Sequence, residues 1–280
     1  MDFMIRKYAL LIMIAIFFVL NIKLVNAQKF YAGIATGYGF SMASQNLASK
    51  IENGITQTSN ATVKGSFGRG LLLGGYIGYK KNENIGTELG ISYLIGNKYS
   101  GYYSKELDFN EKTVMSANMF RLSPGIRISV GDGKIKPYAK LGLAFRIFGK
   151  ITIKDSHYDI QNNETTETEW KYSNGASIGI IASLGITKKI SEKISIFGEL
   201  GMINQSWGPK KGKITKYAIN GVDMLSNLTP SQNQTNYIDS YTTTNNSSSA
   251  TWSPRQQLRQ YYPFSSIGLN IGLHLKFGKS

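Results

Sequence analysis

The stretch IGTELGISYLIG, residues 85–96, separates into two columns when read by parity. The odd positions are Ile85, Thr87, Leu89, Ile91, Tyr93 and Ile95; the even ones are Gly86, Glu88, Gly90, Ser92, Leu94 and Gly96. Side chains of a strand alternate between faces, so this is a strand with one apolar face and one face rich in glycine that also carries a carboxylate. A solvated face would carry Lys, Thr, Glu and Gln instead. Glycine weakens a strand and belongs where a sheet bends sharply or other groups come close. The stretch points to a tightly curled wall with a crowded interior.

The pattern recurs along the chain. Segments 30–42, 70–80, 118–130, 137–147, 170–187, 194–203 and 267–277 each set an apolar column against one rich in small or polar residues, which with 85–96 makes eight strands. Gaps 81–84, 131–134 and 188–193 are short, whereas gaps 43–66, 97–113, 151–169 and 208–261 are long and polar. Strict alternation of short and long connections, with both termini on the short side, is the plan of an outer-membrane barrel. The expected fold is all-β: an eight-stranded antiparallel up-and-down transmembrane barrel with short periplasmic turns and long extracellular loops. The apolar columns would face lipid and the Gly-rich columns the lumen. Tyr38, Phe40, Tyr79, Tyr93, Phe120, Trp170, Tyr172 and Phe277 would supply the interfacial aromatic girdles.

Composition narrows the chemistry. The 280 residues include 30 Gly and 17 Tyr but no Cys, which excludes disulfides and thiolate metal sites. The charged start MDFMIRK, the apolar run 8–20 and the small residues before Gln28 read as an export signal, residues 1–27, cleaved to leave a barrel domain of residues 28–280. The formal charge of +15 becomes +13 when Arg6, Lys7, Lys23 and Asp2 leave with that signal. The basic residues are dispersed and the chain is exported, so nucleic acid is not an expected partner.

The segments GLLLGGYIGY, GTELGISY, RLSPGIRISV, PYAKLGLAF, FGELG and GLNIGLHLKF resemble the small eight-stranded outer-membrane barrels of the OmpA/OmpX type, especially the outer membrane protein beta-barrel domains common in Bacteroidetes. The resemblance covers residues 28–280. It implies a protein of the Gram-negative outer membrane that meets the barrel assembly machinery during biogenesis.

No catalytic, cofactor-binding or metal-binding residue is assigned. DSH at 155–157 has the Asp-x-His spacing of a protease barrel's half-site, but the other loops lack the aspartate pair that would complete it. GPKKGKIT at 208–215 is one residue short of a phosphate loop and lacks its strand–helix setting. The sharper feature is charge in the lumen columns: Glu88, Arg121, Arg127, Lys140, Arg146, Glu199 and Lys276. An eight-stranded interior is just wide enough for side chains to fill it, and buried charge is costly unless paired. The expectation is a structural salt-bridge plug in which each carboxylate holds at least one of these cations; the alternative is a narrow polar pore.

The long loop 208–261 carries Lys210, Lys211, Lys213, Lys216, Arg255 and Arg259, which can pair with lipopolysaccharide phosphates or serve only to keep the loop soluble. The functional expectation is a monomeric, non-enzymatic barrel that displays its loops for surface interaction, adhesion or envelope integrity. Its partners would be outer-membrane lipid, lipopolysaccharide and an unidentified extracellular ligand. A small-solute channel is the alternative, and a lipid A-modifying or protease barrel ranks third.

Overall fold

The computed structural model describes residues 29–53, 57–105, 108–240 and 252–277; the expected signal, residues 1–27, lies outside them. In chain order the strands are β1 (Phe30–Ser41), β2 (Gln45–Asn53), β3 (Thr58–Gly65), β4 (Gly70–Lys80), β5 (Ile85–Gly96), β6 (Tyr99–Lys105), β7 (Phe109–Ser129), β8 (Ile135–Asp159) and β9 (Glu164–Ser173). There follow β10 (Ile178–Lys189), β11 (Ile194–Trp207), β12 (Lys211–Ile219), β13 (Val222–Asp223), β14 (Gln234–Ile238), β15 (Arg255–Leu258), β16 (Tyr262–Pro263) and β17 (Ser266–Lys276). The only described α-helix is α1 (Pro230–Asn233).

Eight of these strands close a barrel in the order β1, β4, β5, β7, β8, β10, β11, β17 and back to β1, every pairing antiparallel. The apolar columns point outward and stay exposed, as at Ile34, Ile77, Ile91, Leu141, Ile180 and Leu269. The glycine columns point inward, and the register explains their composition. Tyr31 lies opposite Gly78 and Gly33 opposite Tyr76 on the paired β1 and β4. A Cβ at Gly33 would overlap the Tyr76 ring, and one at Gly78 the Tyr31 ring. Tyr138 opposite Gly185 and Phe197 opposite Gly272 repeat the arrangement on other walls. Each large lumen ring thus covers a facing glycine across the strand pair.

Where described, the long connections consist largely of sheet. β7 and β8, 21 and 25 residues long, rise well past the barrel rim. Their extension is flanked by β6 on one side and by β9 on the other. The sheet then continues outward through the β2–β3 hairpin on one flank and through β12, β14 and β15 on the other. Two sequence expectations are corrected here. Segment 170–187 is not one strand: β9 ends at Ser173, and Asn174 and Gly175 adopt positive φ of 60° and 88° before β10 begins. This break resets which residues face inward, so Trp170 and Tyr172 are not lipid-facing girdle residues; they lie on the inner face with Ile151 and Ile153. Region 208–261 likewise contains four strands, and Thr235 within it is only 1% exposed.

The inner face of the extension packs down over the barrel mouth. Phe67, Leu94, Tyr99, Ala117, Met119, Ile151, Trp207 and Phe264 form one buried apolar cluster. Phe67 and Trp207 each meet Phe264 with ring centroids 5.7 Å apart. Ser66 fixes this lid by donating from Oγ to the carbonyl oxygens of Pro263 and Ser265 at 3.1 and 2.7 Å.

Two measurements test this architecture. Leu89→Arg places a cation on the outward column near mid-wall and should lower folding stability in lipid vesicles by about 2–4 kcal/mol, the range for a basic residue at the bilayer centre; Arg accepted there but not at Gly90 would reverse the two faces. Val222 is 62% exposed at the long-loop end. Because the chain has no other cysteine, Val222→Cys should react with an impermeant thiol reagent on intact cells, and reaction only after envelope disruption would invert the orientation.

Candidate functional site

The lumen charges are arranged in levels along the barrel axis. In the middle, Lys140 on β8 places Nζ 3.1 Å from Glu88 Oε2 and 3.3 Å from Glu199 Oε2. Glu88 belongs to β5 and Glu199 to β11, which are four strands apart around the wall in either direction. One ammonium between two carboxylates therefore bridges the lumen from wall to wall. Arg127 Nη1 stands 3.5 Å from Glu88 Oε1, donates through Nη2 to Thr187 Oγ1 at 2.6 Å, and stacks 3.8 Å above the Tyr138 ring. Tyr31 donates to Glu88 at 3.0 Å, and Tyr138 and Asn270 donate to Glu199 at 2.9 and 3.1 Å. Both carboxylates are thus nearly saturated with donors, the condition under which buried charge is tolerable.

The remaining lumen cations do not join this network. Arg121 is fully buried nearer the long-loop end, where Nε donates to Gln205 Oε1 at 2.7 Å and Nη2 approaches the Phe264 carbonyl at 3.5 Å. Arg146 donates to the carbonyl oxygens of Gly175 and Gly149, both at 2.7 Å, and lies 4.0 Å above the Trp207 ring. These two arginines stitch the apolar lid to the barrel through neutral acceptors. Lys276 sits at the opposite, short-turn end and makes no ion pair among the described residues. Of the seven lumen charges, the bridge joins Glu88, Arg127, Lys140 and Glu199, while Arg121, Arg146 and Lys276 stand apart from it: parity identifies the lumen face, but height along the strand decides who meets whom. The half-site DSH is spread over structural contacts, with Asp155 accepting from Thr113 at 2.6 Å and His157 lying 5.0 Å from the Phe109 ring.

A second charged surface lies outside the barrel, on the outward face of β8, β9 and β12. It begins just above Phe120 and Phe148, which stack at 4.8 Å on the outer side of β7 and β8. Lys150 follows two residues beyond Phe148 on the same face. Thr152 pairs with Lys171, which in turn pairs with Lys213; Lys154 pairs with Glu169, which pairs with Lys216. Lys211 faces Ser173 in the row nearer the membrane. Of the loop cations expected to meet phosphate, Lys211, Lys213 and Lys216 belong to this face, Lys210 is exposed just before it, and Arg255 stands on the far strand β15. Arg259 is instead mostly covered and bound to Asp239 at 3.0 Å. Lys150, Lys154 and Lys171 were missed by sequence reasoning. The alternation Lys150–Thr152–Lys154 is visible, but it was cut off by ending that strand at residue 147.

Glu169 sits among these lysines. Lys171 above all, with Lys154 and the Thr215 hydroxyl, holds its carboxyl at about 2 against a smaller opposing effect of burial. Glu169 therefore stays ionised at any pH above that value, while its share of local stabilisation is full above the ordinary carboxylate range and is lost as pH falls from there to about 2. Counting Glu167, which binds Lys216 at 2.6 Å, six lysines meet two carboxylates on this face.

The lumen bridge is testable by stability. Glu88→Gln leaves Arg127 without its carboxylate while Lys140 keeps Glu199, so unfolding in urea should show a loss of about 3 kcal/mol, the lower end for removing one partner of a buried pair. Unchanged stability would remove the bridge as a structural element.

No curated protein matches the chain. Among solved structures, Neisserial surface protein A aligns with TM-score 0.35 and 10% identity, covering 89% of this chain and 97% of its own. Ail, the attachment invasion locus protein of Yersinia pestis, aligns with TM-score 0.31 and 9% identity over 88% and 99%. CarO2 of Acinetobacter baumannii gives 0.32 and 12% over 88% and 98%. Residues 9–208 match the family described as outer membrane protein beta-barrel domain. That match spans well over half of the sequence and takes in seven of the eight wall strands, and the chain therefore belongs to the outer membrane protein beta-barrel family.

Proposed function

We propose that this protein is a non-conducting, non-enzymatic surface barrel that clamps lipopolysaccharide through phosphate groups and so contributes to envelope integrity. The observation that carries the reading is the lysine face immediately above Phe120 and Phe148. A barrel wall displays apolar side chains to lipid up to an aromatic girdle, and the headgroup region begins at that height. In the outer leaflet those headgroups carry phosphates. Lysine is a flexible point charge suited to phosphate, and charge-assisted hydrogen bonds to phosphate are roughly twice as strong as neutral ones. Glu169, ionised throughout, pins Lys171 and Lys154 in place and leaves Lys150, Lys211 and Lys213 to the ligand.

Support for a sealed lumen comes from the two barriers in series, the Glu88–Lys140–Glu199 bridge and the apolar lid. Conduction would require both to open. The protein functions as a monomer in this reading, since the wall closes on itself and every barrel strand has two partners.

The reading is tested with detergent-solubilised protein titrated calorimetrically with lipopolysaccharide before and after phosphatase treatment. Binding should depend on the phosphates. The double variant Lys211→Gln/Lys213→Gln should weaken it by roughly tenfold or more, because each basic residue at an anionic membrane surface is worth about 1 kcal/mol. Glu169→Gln should not weaken it. Equal binding to phosphatase-treated material would overturn the proposed partner, and discrete conductance steps in a planar bilayer would favour the channel instead.

A further inference from the structure

The short-turn end of the barrel carries a feature that neither the lumen bridge nor the outer face uses. Lys80, Lys136, Lys189 and Lys276 come from β4, β8, β10 and β17, and each is the lumen-facing residue nearest the short-turn end of its strand. Register alone brings them together: Lys80 lies opposite Gly86, Lys136 opposite Thr187, Lys189 opposite Ser195 and Lys276 opposite Tyr31. The four strands are spread around the circumference, so the four ammonium groups ring one opening. Behind them is a cavity of about 170 Å³, roofed by Arg127, Tyr31 and His274. A single water needs roughly 10–15 Å³ measured the same way, so the chamber holds considerably more than one.

Like charges gathered at a narrow mouth repel one another, and the repulsion is focused by the low-dielectric wall. Two carboxylates, Glu83 and Asp132, line the chamber as well and offset only part of it. Lys189 binds Glu192 at 2.6 Å and Lys136 stands 3.8 Å from Asp132, but both acids are on solvent-exposed turns. Lys80 and Lys276 have no carboxylate within ion-pair distance among the described residues. Arg127 in the roof is committed to Glu88 and Thr187, so the positive potential of the chamber comes from the lysines. The chamber is also lined by Ser129, Ser195 and Asn82, whose hydroxyl and amide groups can donate to anionic oxygens.

We propose that this vestibule is a binding site for a small phosphate-bearing anion entering from the periplasmic side. Several converging ammonium groups suit a tetrahedral, multiply charged ligand better than a single carboxylate, since each phosphoryl oxygen can meet its own donor. The bridge above stops the ligand from crossing, so the site retains an anion rather than conducting it. The phosphate is either that of a soluble periplasmic molecule or that of an inner-leaflet phospholipid headgroup reaching the rim.

Calorimetry on the full barrel in neutral detergent distinguishes the two sources. Pyrophosphate probes the soluble ligand, and micelles doped with phosphatidylglycerol probe the headgroup. Lys80→Gln/Lys276→Gln should weaken binding of at least one probe tenfold or more, while the charge-matched control Lys50→Gln/Lys64→Gln, on the exposed β2–β3 hairpin, should leave it unchanged. Loss with pyrophosphate assigns a soluble phosphate and loss with doped micelles a headgroup. Absence of binding by either probe at millimolar concentration, or equal loss in both double variants, would overturn the site. Retained resistance to urea in the Lys80/Lys276 variant shows that any loss comes from the mouth and not from unfolding.

Discussion

The width of an eight-stranded wall governs everything inside this protein. Such a barrel encloses room for side chains but not for an unoccupied channel, so each inward position must be negotiated with the one facing it. The solution is reciprocal: Tyr31 against Gly78, Tyr76 against Gly33, Tyr138 against Gly185, Phe197 against Gly272. The glycine column that looks wasteful in the sequence is the seat of the opposite strand's rings. Those rings in turn supply the hydroxyls and faces that make buried charge acceptable, as Tyr31 and Tyr138 donate to Glu88 and Glu199, and Tyr138 lies beneath Arg127.

The axial ordering of charge follows from the same confinement. Where lipid surrounds the wall and water is excluded, cations and carboxylates are matched within hydrogen-bond reach. Toward the lid, Arg121 and Arg146 take neutral carbonyl and amide oxygens, which removes the need to bury an acid beyond Glu88 and Glu199. At the short-turn mouth the lysines are no longer enclosed, and solvent lets four of them share an opening with few acids. Charge pairing thus weakens in step with access to water.

Much of the barrel was legible in the sequence because lipid is an unforgiving solvent on one face. Parity placed Leu89 and Ile180 outward and Glu88, Lys140 and Glu199 inward, and the alternating gap lengths ordered the strands. Legibility fails where the lipid stops. Beyond Phe148 both faces of β8 can be polar or mixed, so Lys150, Thr152 and Lys154 lose the apolar contrast that marks a strand, and the continuation to Asp159 goes unread. The break at Asn174 and Gly175 is equally quiet: a tolerable Asn–Gly pair inside an alternating run resets the face of Trp170, Lys171 and Tyr172 without disturbing the pattern that surrounds it. Phe67, Trp207 and Phe264 read as stray apolar residues in polar segments, because only tertiary contact unites them as a lid.

The hairpin of β7 and β8 ties the levels together. It contributes Arg127 and Lys140 to the lumen bridge, Arg121 and Arg146 to the lid, Met119 and Ile151 to its apolar cluster, and Lys150 and Lys154 to the outer face. A strand pair held at its base by buried ion pairs and at its middle by two arginines is a stiff post, and stiffness matters for what it carries. Holding several lysines in one register on a sheet spares the ordering cost that separate flexible loops would meet on binding a ligand. The buried network and the exposed surface are two ends of one element, and the rigidity of the first is what gives the second its geometry.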